Sequence, residues 1–510
     1  MQIHTDKVDK RKYLTFLSWG FFVFMMLYNL TNSSLWGDEW VEYDISQCGI
    51  LDREMYYRII GTFQPPLYNL VMHFWLLIDN SFLWFRLFNI LVGVVSGIAL
   101  FKTLSITTNR TVASFALIAL GATYQWIYCI QECSEYALML MFIFLALYYF
   151  VQQGVAYKRR YEILLIASCV LAMYSQYGAF LVIAPLLVIY FIQTIQTKNK
   201  QRIVRLSILY ASALVFFAFP LYYLFARGQM KNHEVGSSLV LLDSPSETLM
   251  NFPVVFGKLI SYFLNLQNTT IADIALAIIG LSILILAVVM LFKKQVHSSV
   301  KAIVIVLFSS YVVFFVLVAL QVYAMVHVNM SAGYYSRYSY FFMPLFCVAL
   351  PTLIFEGCKT VKKPSVKKVA TTAICVVTLL AYFVSYPSLL RNWKKCYDKE
   401  FAEIWVNNAG FADTTILAGG CTDFGLDYYT KEYKFEQTGE IIYAEDVALD
   451  ELPDSFWIWR SNWGGDMWQT IVDSAKEQGY EVTVYVNQTG PVRPEKNKYQ
   501  LAYCTINSDR

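Results

Sequence analysis

The chain has 510 residues, 57% apolar and only 15% charged, with a mean hydropathy of +0.46. Soluble domains carry about 25% charged residues, so this composition excludes an ordinary soluble protein and points to repeated membrane spans of about 20 apolar residues each. The net charge of +3 leaves no electrostatic footprint for a nucleic acid, while the aromatic content of 17% suits interfacial belts of Tyr and Trp.

The first apolar run, 13–30, follows Lys7, Lys10, Arg11 and Lys12. It is long and no small-x-small cleavage site follows it, so it reads as a retained first span with the N-terminus in the cytoplasm. Residues 31–64 then form a first extracytoplasmic loop, which carries Leu35-Trp36-Gly37-Asp38-Glu39-Trp40. A carboxylate partly desolvated at a membrane surface can have its pKa raised and serve as a general base. The same pair also reads as an acidic helix start, which the helix dipole favours, and Glu42 and Asp44 extend that acidic turn. Next, Gln64-Pro65-Pro66-Leu67-Tyr68-Asn69-Leu70 reads as a sharp helix entry, since proline suits the first helical position.

About twelve apolar segments follow from length and polar punctuation: 13–30, 65–79, 84–101, 112–128, 135–152, 161–175, 178–194, 205–225, 272–292, 301–325, 338–356 and 368–387. Basic loops at 102–110, 158–160, 198–205, 293–301 and 359–368 orient the spans with these loops in the cytoplasm. The stretches 131–135, 175–178, 227–268 and 327–337 and the C-terminal region are then outside. One conflict arises: between the outer loop 31–64 and the basic loop at 102 the number of crossings must be odd, yet two apolar segments lie there. Either 65–79, which opens on Pro65-Pro66 and holds Asn69 and His73, does not fully cross, or a crossing near 40–60 is missed. The expected total is odd, 11 to 13 crossings.

Late in the chain, Tyr334-Tyr335-Ser336-Arg337-Tyr338-Ser339-Tyr340 precedes an outward-starting span. An Arg at headgroup level suits forked recognition of a phosphate; it also reads as a snorkelling Arg in an aromatic belt. His327 stands beside this stretch and is a candidate substrate contact, whereas His73 reads as a packed histidine. After residue 390 the composition becomes that of a soluble α/β domain. Residues 414–418, 456–459, 481–486 and 500–505 read as strands and 467–476 as a helix ending before Gly479. Trp457, Trp459, Trp463 and Trp468 read as its core. The ten Cys include no CxxC pair, so no zinc or redox motif is legible; among Cys396, Cys421 and Cys504 one disulfide is open.

The order of these motifs, an outer Asp-Glu after the first span, a Pro-Pro-Leu-Tyr helix start and a late outer Arg-Tyr before a span, resembles the GT-C superfamily of membrane glycosyltransferases. It is similar to glycosyltransferase family 39, which includes protein O-mannosyltransferases, the lipid A aminoarabinose transferase and a broad bacterial set. Gln131-Glu132 through Glu135-Tyr136-Ala137-Leu138 and the turn Tyr174-Ser175-Gln176-Tyr177 add to the likeness, which covers residues 10–390. The chain departs from it at Phe63-Gln64, where some members carry an acidic residue and a Lys, and at the Tyr-Ser-Gln-Tyr turn, which lacks a His.

The resemblance implies a GT-C-like, α-helical polytopic membrane domain over 1–390 and a small extracytoplasmic α/β domain over 391–510. It implies an inverting glycosyltransferase of the cell membrane, of bacterial look. The donor would be a polyprenyl-phosphate-linked sugar and the acceptor a cell-envelope glycan, lipid or protein. Asp38 would be the catalytic base with Glu39 supporting it, and Arg337 with Tyr338 would bind the donor phosphate. Gln64, Arg86, Glu132, Tyr136, Gln176, Tyr177, His327 and Tyr335 are candidate substrate-binding residues. No ligand set in the sequence requires a metal, and members of the superfamily differ on metal use, so a divalent metal stays open. A transporter or flippase is the alternative of another class; it would want charged or broken helices at mid-membrane.

Overall fold

The computed structural model describes residues 10–30, 34–232, 270–294, 296–320, 336–359, 396–408, 413–420, 422–434, 439–443, 446–461, 467–489 and 498–506. The chain divides into two compact units, Met1–Tyr28 with Ile45–Pro387, and Asn29–Asp44 with Ser388–Arg510. The segment 29–44 therefore groups with the C-terminal region and not with the chain that follows it.

The first unit is helical. In chain order it contains α1 (Lys10–Leu27), the end of α2 (Gly37–Gln47), α3 (Arg53–Ile60), α4 (Leu67–Leu76), α5 (Phe82–Thr107), α6 (Arg110–Gly121), α7 (Tyr124–Gln131), α8 (Glu135–Val155), α9 (Arg159–Ser175) and α10 (Phe180–Gln196). A long apolar helix follows: α11 (Lys200–Ala213), π-helical turns at Leu214–Ala218 and Leu221–Ala226, and α12 (Arg227–Asn232). α13 (Thr270–Phe292), α14 (Ser298–Ala319), a 3₁₀ helix (Ser336–Phe342) and α15 (Met343–Lys359) complete it. Among the described residues, six helices are long and apolar enough to cross a membrane, and α6 with α7, bent by 66°, makes up to a seventh. The expected span 368–387 lies outside the described residues.

The conflict over 65–79 resolves in favour of an incomplete crossing. α4 has ten residues, about 15 Å of helix against a hydrocarbon core of about 30 Å. The chain then turns back through Ser81, whose hydroxyl caps α5 by accepting from Trp84 N at 3.3 Å. The turn is fastened by Trp75 and Trp84, stacked at 4.4 Å, each indole N–H donating to the other's carbonyl at 2.8 and 2.9 Å. His73 donates from Nδ1 to the Ser46 carbonyl at 3.1 Å, the packed role read for it. One crossing, α5, thus separates the early loop from the basic loop at 102.

The basic loops meet at one end of this unit. Glu162, 1% exposed, accepts from Tyr190 at 2.9 Å and Tyr157 at 3.1 Å and pairs with Arg202 and Arg205 at 3.6 Å each, tying α9, α10 and α11 together. Thr107 and Thr352 hydroxyls lie 3.1 Å apart, joining the end of α5 to the middle of α15. The carboxylate is buried with two cations and two phenols, which is how a charge near hydrocarbon is tolerated. Between the ends, α1 crosses a small-residue face of α5. A Cβ on Gly93 would stand 2.7 Å from Met26 Sδ, and one on Gly97 2.7 Å from a Phe22 ring carbon, the close approach that a Gly-xxx-Gly face allows.

The second unit carries a five-stranded mixed sheet of order β2-β1-β3-β5-β4. The strands are β1 (Thr415–Gly420), β2 (Ile441–Tyr443), β3 (Ser455–Ser461), β4 (Tyr480–Thr489) and β5 (Lys498–Ile506), and the helices are α16 (Asp398–Asn407), α17 (Thr422–Glu432) and α18 (Met467–Glu477). β1 pairs in parallel with β2 and β3, while β5 pairs antiparallel with β3 and β4. The four expected strands and α18 are all present. Trp457 and Trp459 are fully buried and Trp468 is 6% exposed, as core residues; Trp463 lies outside the described residues. The open disulfide is corrected in part: Cys396 and Cys504 are buried free thiols, and Cys421 lies outside the described residues.

Replacing Gly97 by Val forces the Phe22 and Trp19 rings of α1 away from α5. The expected outcome is a loss of about 1–3 kcal/mol, seen as a lower thermal midpoint of the detergent-purified protein. An unchanged midpoint would contradict the packing described.

Candidate active site

The acidic pair opens α2, with Asp38 and Glu39 in its first turn. The two carboxylates have different work. Glu39 is fully buried and its Oε2 accepts from the Trp36 backbone N–H at 3.2 Å. That is the reciprocal half of a capping box, in which the third helical residue reaches back to the cap position. Asp38 is half-buried and sits one residue earlier in the same turn. Trp40, 3% exposed, follows at once. The helix-start reading thus describes Glu39, and the pair leaves Asp38 as the more accessible carboxylate.

In the same unit, Trp40 meets Tyr428 of α17 at 5.6 Å between ring centroids, and Tyr43 meets Tyr428 at 6.4 Å. Ser34 Oγ accepts from the Lys399 backbone N–H at 3.4 Å. Beside it lies a buried acid that no motif signalled. Asp398, 1% exposed, opens α16, takes the Cys396 thiol at 3.2 Å and the Ser461 hydroxyl. Burial pushes its pKa up from the ordinary 3.8 to about 6, against the hydrogen bonds from Ser461, Cys396 and Trp459 that lower it. A Cβ on Gly425 would fall 2.9 Å from Asp398 Oδ2, so α17 passes directly over the carboxylate.

In the membrane unit, the end opposite the basic loops gathers most of the remaining candidates. Arg86 and Asn89 lie a turn apart on α5, 4% and 0% exposed. Asn89 donates to the Glu132 carbonyl at the α7–α8 corner, where Glu132 and Glu135 are buried at 0% and 1% exposed. Gln131 secures that corner by donating to the carbonyls of Met26 at 2.9 Å and Tyr28 at 2.8 Å. Tyr136 turns its ring edge to Tyr340 at 5.7 Å. The 3₁₀ helix that holds Arg337, Tyr338 and Tyr340 packs on α7, α8, α10 and the short Tyr177–Ala179 turn. The backbone of Arg337 and Tyr338 therefore belongs to this corner. Tyr335 and His327 lie outside the described residues.

Gln64 and Tyr177 are joined by a residue that sequence reasoning passed over. Gln229, 1% exposed, donates from Nε2 to the carbonyls of Gln64 at 2.7 Å and Ile59 at 2.9 Å, and accepts from the Tyr177 hydroxyl at 2.8 Å. Nothing marks Gln229 in sequence, because its partners are two backbone carbonyls and one phenol far along the chain. The Gln176 side chain instead accepts from Gly178 N and caps its own turn. An apolar cavity of about 750 Å³ lies between α9, α10 and the 200–232 helix, lined by Cys169, Tyr174, Tyr177, Tyr210, Phe217 and Leu221 among others. Among the described residues no three His, Cys, Asp or Glu side chains group as a metal centre would need.

Residues 63–223 match the family model described as dolichyl-phosphate-mannose-protein mannosyltransferase. That stretch holds Gln64, Arg86, Glu132, Tyr136, Gln176 and Tyr177, and over it the resemblance to GT-C membrane glycosyltransferases is borne out. Two crystal structures of ArnT from Cupriavidus metallidurans are similar, each over 96% of this chain and 98% of that one. The form bound to undecaprenyl phosphate has 14% identity and a TM-score of 0.48; the apo form has 13% and 0.40. No curated protein sequence matches the chain.

Two outcomes follow from this geometry. Gln229→Leu removes a buried bridge and leaves the Gln64 and Ile59 carbonyls unsatisfied, at about 1–3 kcal/mol; a drop in thermal midpoint is expected, and no drop would contradict the bridge. Asp398 takes up its proton more readily folded than unfolded. Its contribution is therefore greatest below about pH 4 and is lost as pH rises through about 6, by about 3 kcal/mol in all. Thermal midpoints measured from acid to neutral pH should fall more steeply for the natural protein than for Asp398→Asn; parallel curves would refute a perturbed Asp398.

Proposed function

We propose that the chain is an inverting glycosyltransferase that moves a sugar from a polyprenyl-phosphate donor to a cell-envelope acceptor on the outer face of the membrane. The observation that carries this reading is the match of residues 63–223 to the mannosyltransferase family model. Asp38 takes the proton of the acceptor hydroxyl as that oxygen attacks the anomeric carbon. The bond from this carbon to the phosphate oxygen breaks, and polyprenyl phosphate leaves with the electron pair. Arg337, with Tyr338, binds the phosphate and stabilises the charge it gains. Single displacement inverts the anomeric centre. Glu39 keeps the helix start that carries Asp38 in place through its bond to Trp36 N.

Two features support an enzyme working at a membrane face over a transporter. In the described spans the charged residues stand near the ends: Arg86 and Lys102 in α5, Glu135 in α8, Lys200, Arg202, Arg205, Arg227 and Lys231 in the 200–232 helix, Lys301 in α14, Glu356 and Lys359 in α15. A transport path would place ionisable groups at mid-membrane. The apolar cavity beside Tyr177 suits an isoprenoid chain, which would anchor a phosphate at the helix ends. With the basic loops in the cytoplasm, the Arg86–Glu132 corner and the Arg337 helix lie on the outer face, as does the C-terminal domain.

Purified protein in lipid, given a panel of polyprenyl-phosphate sugars and envelope extract as acceptor, should release polyprenyl phosphate from one donor. Asp38→Asn should lower kcat by about a hundredfold to ten-thousandfold with little change in donor KM. Arg337→Ala should weaken donor binding by about tenfold or more. Turnover surviving Asp38→Asn would remove the proposed base; no turnover with any donor would move transport to the front.

A further inference from the structure

The turn that carries Asp38 is gripped on both sides by residues from the far end of the chain. Four residues before it, Ser34 accepts from Lys399 N at 3.4 Å and hydrogen-bonds the Cys396 thiol and the Tyr429 hydroxyl. Two residues after it, Trp40 packs on Tyr428 at 5.6 Å, and Tyr43 closes the same ring from 6.4 Å at an interplanar angle of 84°. Trp40 and Tyr43 also meet each other edge-on at 6.1 Å, so the three rings form one cluster. Tyr429, beside Tyr428, is 2% exposed, and its ring stands at 86° to that of Tyr428. Both tyrosines lie on α17, which is fixed in turn by the contact of Gly425 with the Asp398 carboxylate.

These contacts are specific in kind. A loop that merely rested on a domain would show scattered apolar touches. Here a hydroxyl meets the start of α16 and an aromatic cluster meets α17, and the two grips bracket a turn of helix whose own cap, Glu39 to Trp36 N, is closed. Aromatic pairs at such centroid distances add a directional attraction to their area burial, which favours one position of the loop. A misplacement of about 1 Å at a reacting group can cost about a hundredfold in rate.

We propose that the C-terminal domain is a positioning element of the active site, in which Tyr428, with Ser34 and its partners, holds the Asp38 turn in its working place. This rests on the reading of Asp38 as the base. Tyr428 touches no reacting atom; it acts through Trp40 and Tyr43 on the turn between them and Ser34. The domain is then required for the chemical step, and not for holding the donor.

The test compares Tyr428→Ala, Tyr428→Phe and Ser34→Ala in the full-length protein. Tyr428→Ala should lower kcat at least about tenfold with donor KM within about twofold, and Tyr428→Phe, which keeps the ring, should restore kcat. Ser34→Ala should lower kcat in the same direction. Ile471→Ala, in the core of the same domain, should lower its thermal midpoint while leaving kcat per folded molecule unchanged. Independently of activity, hydrogen exchange in residues 34–44 should quicken in Tyr428→Ala while β3 and β5 keep their protection. A normal kcat in Tyr428→Ala, or unchanged exchange in 34–44, would overturn the proposal. Should Tyr428→Ala fail to fold, Ser34→Ala decides it by the same two readouts. If the natural protein turns over no donor, the reading of function fails, and the exchange result alone decides whether the domain holds the segment.

Discussion

Hydrocarbon about 30 Å thick does not accept an uncompensated charge, and the whole membrane unit is arranged around that fact. At one end, Glu162 is admitted only because Arg202, Arg205, Tyr157 and Tyr190 close around it. At the other, Arg86, Glu132 and Glu135 are buried where α5, α7 and α8 converge. Between the ends, contacts are apolar or made by small residues, such as Gly93 and Gly97 under α1. Polar chemistry is thereby confined to the faces, where a lipid phosphate would also sit. A transfer reaction on a lipid-linked substrate needs just that division: an apolar interior for the chain and a charged rim for the reacting group.

Much of this was legible in the sequence because two signals are strong. Apolar runs of span length mark the long helices among the described residues, and strand-type patterns between turn residues mark β1, β3, β4 and β5. The short strand β2, only Ile441–Tyr443, carries too little pattern to read. The helices Asp398–Asn407 and Thr422–Glu432 were also missed, since neither has a strong apolar stripe next to a clear start and stop. α4 was ambiguous for a physical reason: its composition is apolar enough to span, and only its length, cut by the Pro pair before it and the Trp75–Trp84 clasp after it, settles that it does not cross.

The site was legible in a different proportion. Residue type and order pointed to Asp38 and Arg337, and Gln64, Arg86, Glu132, Tyr136 and Tyr177 come from elements that converge at the end of the membrane unit opposite the basic loops. The division of labour between Asp38 and Glu39 could not be read, because it depends on which carboxylate reaches back to Trp36 N. Gln229 and Asp398 were invisible for a related reason. Their importance lies in partners tens or hundreds of residues away, and neither residue type nor spacing announces it. Gln176, a candidate substrate contact by type and place, also caps its own turn by accepting from Gly178 N.

The proposed function has this chain handle a sugar carried on a polyprenyl phosphate, and native mass spectrometry of the protein purified from its own membrane can detect that carrier. A bound lipid is expected whose mass is that of a polyprenyl phosphate or its glycosylated form, held by the natural protein and lost in Arg337→Ala. A protein that carries bulk phospholipid alone, and takes up no added polyprenyl phosphate, would contradict it.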